Sequence, residues 1–177
     1  LLVMSKWAAL EATTLIAREK PEVSRRLLGE QAHREVLNWL YAPGISILKE
    51  GEILRGLKIA AAHDPTEGGI ATGIHEIADR SRVGVRLYRD RIPIRRETDL
   101  LCSHFGLDPM GALSSGVFLF TTARGAAEKA CALLSGGGVP AAVIGEITDQ
   151  RGVVERVDSE DHRPLPLFGR DEIIKLP

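Results

Sequence analysis

The chain has 177 residues, of which 44% are hydrophobic and 27% charged, and its formal net charge is −1. This length is enough for one domain with a substantial core. The balanced charge does not favour a nucleic-acid-binding or membrane-surface protein, and no apolar run approaches the roughly 20 residues of a membrane span. We therefore expect a globular cytoplasmic domain that binds neither nucleic acid nor membrane. Cys102 and Cys131 lack metal-ligand spacing, and we expect both to be reduced thiols buried in helices.

The first part of the chain reads as a strand followed by helices. The opening letters LLVMSKW predict a buried strand that is already under way at the first residue, so we expect the chain to be part of a longer protein. Helical periodicity follows over residues 10–20, 22–44 and 46–57, with a break at Pro21. The letters KIAAAH, residues 58–63, predict a short apolar strand.

The remainder mixes strands and helices. The pattern predicts a helix after residue 64, strands at 83–94, 117–122, 139–148 and 152–157, and helices at 95–106 and 123–138. We expect the last two strands to form a terminal pair joined by the turn DQRG, and the tail from His162 to pack as an edge segment. Strands mixed with helices, some joined by hairpins, favour a layered α+β domain, α/β/α with a mixed sheet, over a regular parallel βαβ wind.

The sharpest local feature is the stretch HDPTEGG, which precedes a helical repeat. Asp64 is a good N-cap, Pro65 fits the first helical position, and Glu67 completes a capping box. Gly68 and Gly69 then fall in the first turn, where each costs about 1 kcal/mol relative to alanine. Two explanations are open: bare N–H groups that receive a phosphate or carboxylate, or close packing of the helix on the preceding strand.

Other motifs are less specific. The letters SSG at 114–116 precede a strand, where the hydroxyls could bind a phosphate or form a turn. The HE pair at 75–76 lacks the second histidine of HExxH, and we predict no metal site. His63 borders the HDPTEGG turn and could reach a site there, although a structural histidine is an alternative. GxSxG, GxGxxG and the P-loop ending GK[ST] are all absent.

Several motifs in order carry a family resemblance. The stretches HDPTEGGIATGIHEIADRS, FGLDPMGALSSG, VFLFTT and GGGVPAAVIGEIT resemble the C-terminal domain of the aminoimidazole-ribonucleotide (AIR) synthetase-related superfamily, over about residues 58–150. Its members include that purine enzyme, thiamine-monophosphate kinase, selenophosphate synthetase and formylglycinamidine synthetase. The motifs are most similar to those of the hydrogenase expression/formation protein E.

The resemblance implies a two-domain homodimer that uses ATP with Mg²⁺, in which most nucleotide and metal ligands belong to an N-terminal domain. Residues 1–177 would then be the single C-terminal domain, inactive alone, with a small-molecule substrate, ATP and maturation proteins as partners. No catalytic residue is assigned, and Lys6 and Glu11 are only additional candidates. The resemblance implies these substrate- or phosphate-binding residues: Asp64, Thr66, Gly68 and Gly69, with Ser114, Ser115 and Gly116 on the opposite wall.

Three departures from the hydrogenase-maturation pattern bear on the chemistry. Glu67 stands where that pattern has arginine, and residues 114–117 read SSGV where it has Asn-Glu-Gly-Lys. The chain also ends in IIKLP, where those proteins end in the cysteine that carries the carbamoyl group. These three departures count against carbamoyl dehydration without deciding which reaction takes its place. Three functions are open. The first is an ATP-dependent ligase, kinase or dehydratase, the second is a non-catalytic nucleotide-binding or metalloenzyme-maturation partner that kept the fold, and the third is a domain that only dimerises or acts as a scaffold.

Overall fold

One mixed seven-stranded sheet organises the computed structural model, which describes residues 1–159 and 161–177. The strand order is β2-β4-β1-β5-β3-β6-β7, and neighbours are antiparallel except β3 and β6, which are parallel. The strands are β1 (Leu2–Ser5), β2 (Ile59–His63), β3 (Gly84–Tyr88), β4 (Leu119–Thr122), β5 (Ala141–Thr148), β6 (Val154–Asp158) and β7 (Asp161–Pro164).

Helices cover both faces of this sheet, because successive residues of a strand point to opposite faces. On β1, Leu2 and Met4 join the core beneath helix α5 (Gly69–Ser81), whereas Val3 joins the core beneath helix α7 (Arg124–Gly136). The predicted α/β/α layering with a mixed sheet is therefore confirmed. The helices are α1 (Leu10–Glu19), α2 (Pro21–Leu28), α3 (Glu30–Leu37), α4 (Leu48–Ile53), α5 (Gly69–Ser81), α6 (Arg96–Phe105) and α7 (Arg124–Gly136).

A third core lies among helices α1, α2, α3 and α6. Trp7, which follows β1, packs edge-on against Trp39 with ring centroids 5.0 Å apart, and both indoles are buried. Arg95 places its guanidinium 4.4 Å from the centre of the Trp7 ring. Among the described residues, none of the helices is both long and apolar enough to cross a membrane.

Two predictions about connectivity are wrong. The stretch 22–44 is not one helix, because Gly29 at φ 83° separates α2 from α3 and a short π-helical turn, Leu40–Gly44, follows. Strands β5 and β6 do not pair, because β3 lies between them and hydrogen-bonds to both. Periodicity identifies a strand but not its partner. The tail prediction is confirmed for β7, which forms the sheet edge beside β6.

Candidate functional site

The HDPTEGG stretch forms a turn that leads from β2 into α5. Helix α5 begins at Gly69, its N-cap is Gly68 at φ 73°, and no side chain caps it. Asp64 and Glu67 lie outside the helix with exposed side chains. The predicted capping box is therefore wrong, because two consecutive glycines with positive φ prevent the helical path from extending back to Pro65.

The amides of this turn already have partners. The Gly68 N–H donates to Oδ2 of Asp171 at 2.8 Å, and the Gly69 N–H donates to the Thr66 carbonyl at 3.2 Å. The expectation that both glycines present bare N–H groups is therefore wrong. That these residues contact a ligand stays a prediction.

Asp171 is a residue that sequence reasoning missed. Besides the bond from Gly68, its Oδ1 accepts from the N–H groups of Ile173 at 2.9 Å and Leu113 at 3.3 Å. The neighbouring Glu172 is also buried, and its Oε2 accepts from the Asp108 N–H at 3.0 Å. The tail thus supplies two carboxylates that tie the α5 turn to loop 107–118. In the sequence these two residues are an isolated acidic pair near the end of the chain, and no motif indicates that their carboxylates reach the α5 turn and loop 107–118.

Gly69 is required by close packing. Its φ is 62°, and a Cβ there would lie 2.4 Å from the Met110 carbonyl oxygen and 2.8 Å from both the nitrogen and the oxygen of Ala112. The packing explanation is therefore correct for Gly69. The packing partner is the 110–112 backbone rather than strand β2.

The SSG motif has a mainly structural environment. Ser114 is fully buried, and its hydroxyl accepts from the Ala9 N–H at 2.9 Å and donates to the Ala112 carbonyl at 2.8 Å. Ser115 is half-buried, and Gly116 adopts φ 94°. Since its polar atom is already engaged, Ser114 shapes the loop, and Ser115 is the more accessible of the two hydroxyls.

Lys6 is committed to an internal ion pair. Its Nζ lies 3.0 Å from Oε1 of Glu50 and donates to the carbonyls of Ser46 and Gly116, each at 2.9 Å. Lys6 and Glu50 are 2% and 0% exposed, so the pair is sealed from solvent. Lys6 therefore positions the 114–116 loop, and its partner Glu50 was not foreseen. Glu11 is half-buried on α1.

A cleft of about 340 Å³ opens beside the HDPTEGG turn. Its polar lining includes Thr66, His63, Glu76 and Arg170, and the Nε2 atom of His63 contacts Oε2 of Glu76. His63 and Glu76 also line an adjoining cleft of about 640 Å³.

The sequence-predicted residues come together only in part. The Thr66 carbonyl accepts from the Gly69 and Ser114 N–H groups, which joins the two motifs. Thr66 and Gly68 line the smaller cleft, whereas Asp64, Ser115 and Gly116 lie outside its lining.

The charge of the smaller cleft is acidic. Three carboxylates, those of Glu67, Glu76 and Asp171, face one guanidinium, that of Arg170. A phosphate placed there would meet net repulsion unless cations came from elsewhere. Within residues 1–159 and 161–177, no group of three or more His, Cys, Asp or Glu side chains is arranged to hold a metal ion.

The two cysteines lie in helices as expected. Cys102, in α6, is buried, and burial raises the pKa of its thiol to about 12. Cys131, in α7, is half-buried rather than buried, and desolvation raises its pKa as well. Both are free thiols, and a raised pKa keeps a thiol protonated and poorly nucleophilic near neutral pH.

Comparison with known proteins shows a family relationship. A family model described as "AIR synthase related protein, C-terminal domain" matches residues 12–158. A putative hydrogenase expression/formation protein of Methanocaldococcus jannaschii is 33% identical over 113 residues, which are 62% of this chain and 34% of that protein. The carbamoyl dehydratase HypE of Escherichia coli is 29% identical over 168 residues, which are 94% of this chain and 44% of that protein.

Solved structures share the fold. The crystal structure of Escherichia coli HypE has a TM-score of 0.79 at 22% identity and covers 99% of this chain and 52% of that one. A HypE structure in complex with ATP has a TM-score of 0.71 at 22% identity, covering 98% of this chain and 52% of that one. Thiamine-monophosphate kinase from Stenotrophomonas maltophilia has a TM-score of 0.66 at 19% identity, covering 88% and 49%. This chain spans less than half of the curated relatives it matches.

Proposed function

Because the chain belongs to the family of AIR synthase-related C-terminal domains, we propose that it is the substrate- and phosphate-contacting domain of an ATP-dependent enzyme of the hydrogenase-maturation type. The observation that carries this proposal is the family match over residues 12–158 together with similarity to HypE along 94% of the chain. A homologous fold has been solved in complex with ATP, and another in a HypE–HypF complex. The proposal includes a cytoplasmic homodimer that meets other maturation proteins.

The described residues do not by themselves fit ATP with Mg²⁺. The cleft at the HDPTEGG turn is acidic, the Gly68 amide is taken by Asp171, and no three-residue metal cluster is present among the described residues. We propose that a second domain, of the kind that makes up the rest of the relatives' length, supplies the metal and most of the nucleotide contacts. This domain would close over the substrate.

Within this chain we assign different roles to the predicted site residues. Thr66 and Asp64 have exposed side chains on the turn, and they would orient the substrate or its phosphate by hydrogen bonding. Ser115, on the neighbouring loop, would contribute a hydroxyl from the opposite wall. Of the remaining four positions, Gly68, Gly69 and Gly116 would hold the backbone shape, and Ser114 would anchor the loop.

A second function is favoured by two substitutions at this surface. Glu67 and Ser115 replace an arginine and a glutamate of the hydrogenase-maturation pattern, and Glu67 points an exposed carboxylate at the cleft. Loss of one cation and one potential base would leave a protein that binds nucleotide without turning it over. This alternative is a non-catalytic maturation partner.

Incubation of the complete polypeptide with ATP and Mg²⁺ separates the two functions. Release of phosphate or diphosphate supports the enzyme, and saturable nucleotide binding without release supports the binding partner. A Thr66→Ala variant should lower kcat/KM by roughly 10-fold or more if its hydroxyl contacts the transferred group. If the complete polypeptide neither binds nucleotide nor releases phosphate, both functions are contradicted. The 177-residue chain alone should fold and release no phosphate.

A further inference from the structure

The segment 41–48 exposes an unusual amount of apolar surface. The exposed fractions are 81% for Tyr41, 43% for Ile45 and 76% for Leu48. Seven large hydrophobic side chains are exposed among the described residues, and these three lie within eight positions of each other. Single exposed apolar residues are ordinary, whereas three of them in one eight-residue segment make that segment a candidate interaction surface.

This segment is held in place rather than left as a loose loop. A Cβ added to Gly116 would lie 2.8 Å from Cα of Ile45 and 3.0 Å from the Gly44 carbonyl, so these backbones are in close contact. The Ser46 carbonyl accepts a hydrogen bond from Nζ of Lys6. The apolar side chains are therefore presented on a fixed backbone, which lowers the entropic cost of binding a partner.

A buried ion pair holds this segment in place, and its formation costs desolvation free energy. Lys6 is paired with Glu50, which follows the exposed cluster in the first turn of α4, and both are sealed from solvent. Burying two charges costs desolvation energy that their attraction only partly offsets. An ion pair in this position fixes the exposed segment against the 114–116 loop of the proposed site.

We infer that segment 41–48 is the docking surface for the second domain of the two-domain architecture. The solved HypE and thiamine-monophosphate kinase chains are about twice the length of the part that matches here, so the architecture contains a second body of similar size. The backbone of this segment also abuts Gly116, so a domain seated on the segment would lie next to the 114–116 loop of the proposed site. The inference rests on the proposed function insofar as that function requires a second domain.

The chemistry of the occupant follows from the patch. An aromatic ring and two aliphatic side chains select an apolar groove, and the exposed Lys49 and Glu52 beside them form a polar rim. Apolar anchors surrounded by polar residues are the usual arrangement of a protein interface. The second domain should therefore present a hydrophobic groove here.

Hydrogen exchange tests the assignment without any nucleotide. In the polypeptide encoded by the complete reading frame, the amides of residues 40–48 should exchange roughly 10-fold more slowly than in the 177-residue chain alone. The double variant Y41S/L48S should abolish that difference and leave the melting temperature of the 177-residue chain within about 2 °C of the parent, because both side chains are exposed. The matched control L133S/V153S, which removes exposed apolar side chains elsewhere, should keep the protection.

Three results would overturn the inference. Equal exchange of residues 40–48 in both proteins would mean that nothing covers the segment, and a reading frame without a second domain would remove the occupant. Protection that appears in the 177-residue chain with rising concentration, and is lost in Y41S/L48S, would assign the surface to a second copy. Because no ATP is added, failure of ATP hydrolysis leaves this test unaffected.

Discussion

The carboxylate of Asp171 accepts a hydrogen bond from the backbone N–H of Gly68 at the start of α5, 2.8 Å away and 103 positions earlier in the sequence. The carboxylate of the chain's own tail thus faces the positive end of the helix dipole and binds the amide of the N-cap residue. The HDPTEGG turn itself contributes no side-chain cap to this helix.

We predict that Asp171→Ala lowers the free energy of unfolding by about 2–3 kcal/mol, because buried N–H groups lose a charged acceptor. Urea denaturation monitored by circular dichroism measures this loss. Asp149→Ala, in the exposed turn after β5, is the matched control and should stay within about 0.5 kcal/mol of the parent. A loss below about 0.5 kcal/mol for Asp171→Ala would mean that water replaces the carboxylate at no cost.

A second prediction concerns Gly69. We expect Gly69→Val to destabilise the fold by more than about 3 kcal/mol, because the new side chain would meet the Met110 carbonyl and φ is positive. Gly106→Ala is the control, since φ is 67° there but nothing lies within 4 Å of the new Cβ; it should cost only about 1–2 kcal/mol. Thermal unfolding compares the two. Similar losses for both would indicate that the 110–112 backbone moves aside.

The sequence indicated the layers of this fold but not its strand pairing. Alternation within β1 and the helical periods of α5 and α7 follow from local apolar spacing, so the sheet and both helix layers were predictable. The insertion of β3 between β5 and β6 depends on contacts between residues 58 to 69 positions apart. No local pattern encodes such a pairing.

The candidate site was predictable in position and not in detail. The unusual glycines located the turn, but local rules assigned its cap to Asp64, whereas the actual acceptor for the Gly68 N–H is Asp171. Long-range hydrogen bonds of this kind leave no trace in sequence spacing. Glu50 is a second example. Its neighbours in the helix are exposed, so its sequence context does not indicate that its side chain forms a buried ion pair with Lys6.

The Lys6–Glu50 pair provides a third prediction. Lys6→Met leaves a buried carboxylate without its cation and should cost about 3–5 kcal/mol in the free energy of unfolding. Replacing both residues, Lys6→Met with Glu50→Leu, should cost clearly less than the sum of the single substitutions, because no unpaired charge remains. Urea denaturation of the four proteins gives the coupling energy. Additive losses would show that the two side chains do not interact.

Cys102 gives a prediction about pH. Burial in α6 raises the pKa of its thiol from 9.0 to about 12, so the folded protein keeps the proton where the unfolded chain loses it. The free energy of unfolding should therefore fall as the pH rises from 9 to about 12, with a contribution from this thiol that approaches 1.4 kcal/mol per pH unit.

Comparison with Cys102→Ser isolates that contribution, because the hydroxyl does not titrate in this range and the variant's curve should be flatter by this amount. Iodoacetamide supplies an independent readout. At pH 8 the folded protein should be alkylated at the half-buried Cys131 well before Cys102, and both should react at comparable rates in denaturant. Rapid alkylation of Cys102 in the folded protein, or parallel pH curves for parent and variant, would show that the thiol is reached by solvent and that burial in α6 does not control its ionisation.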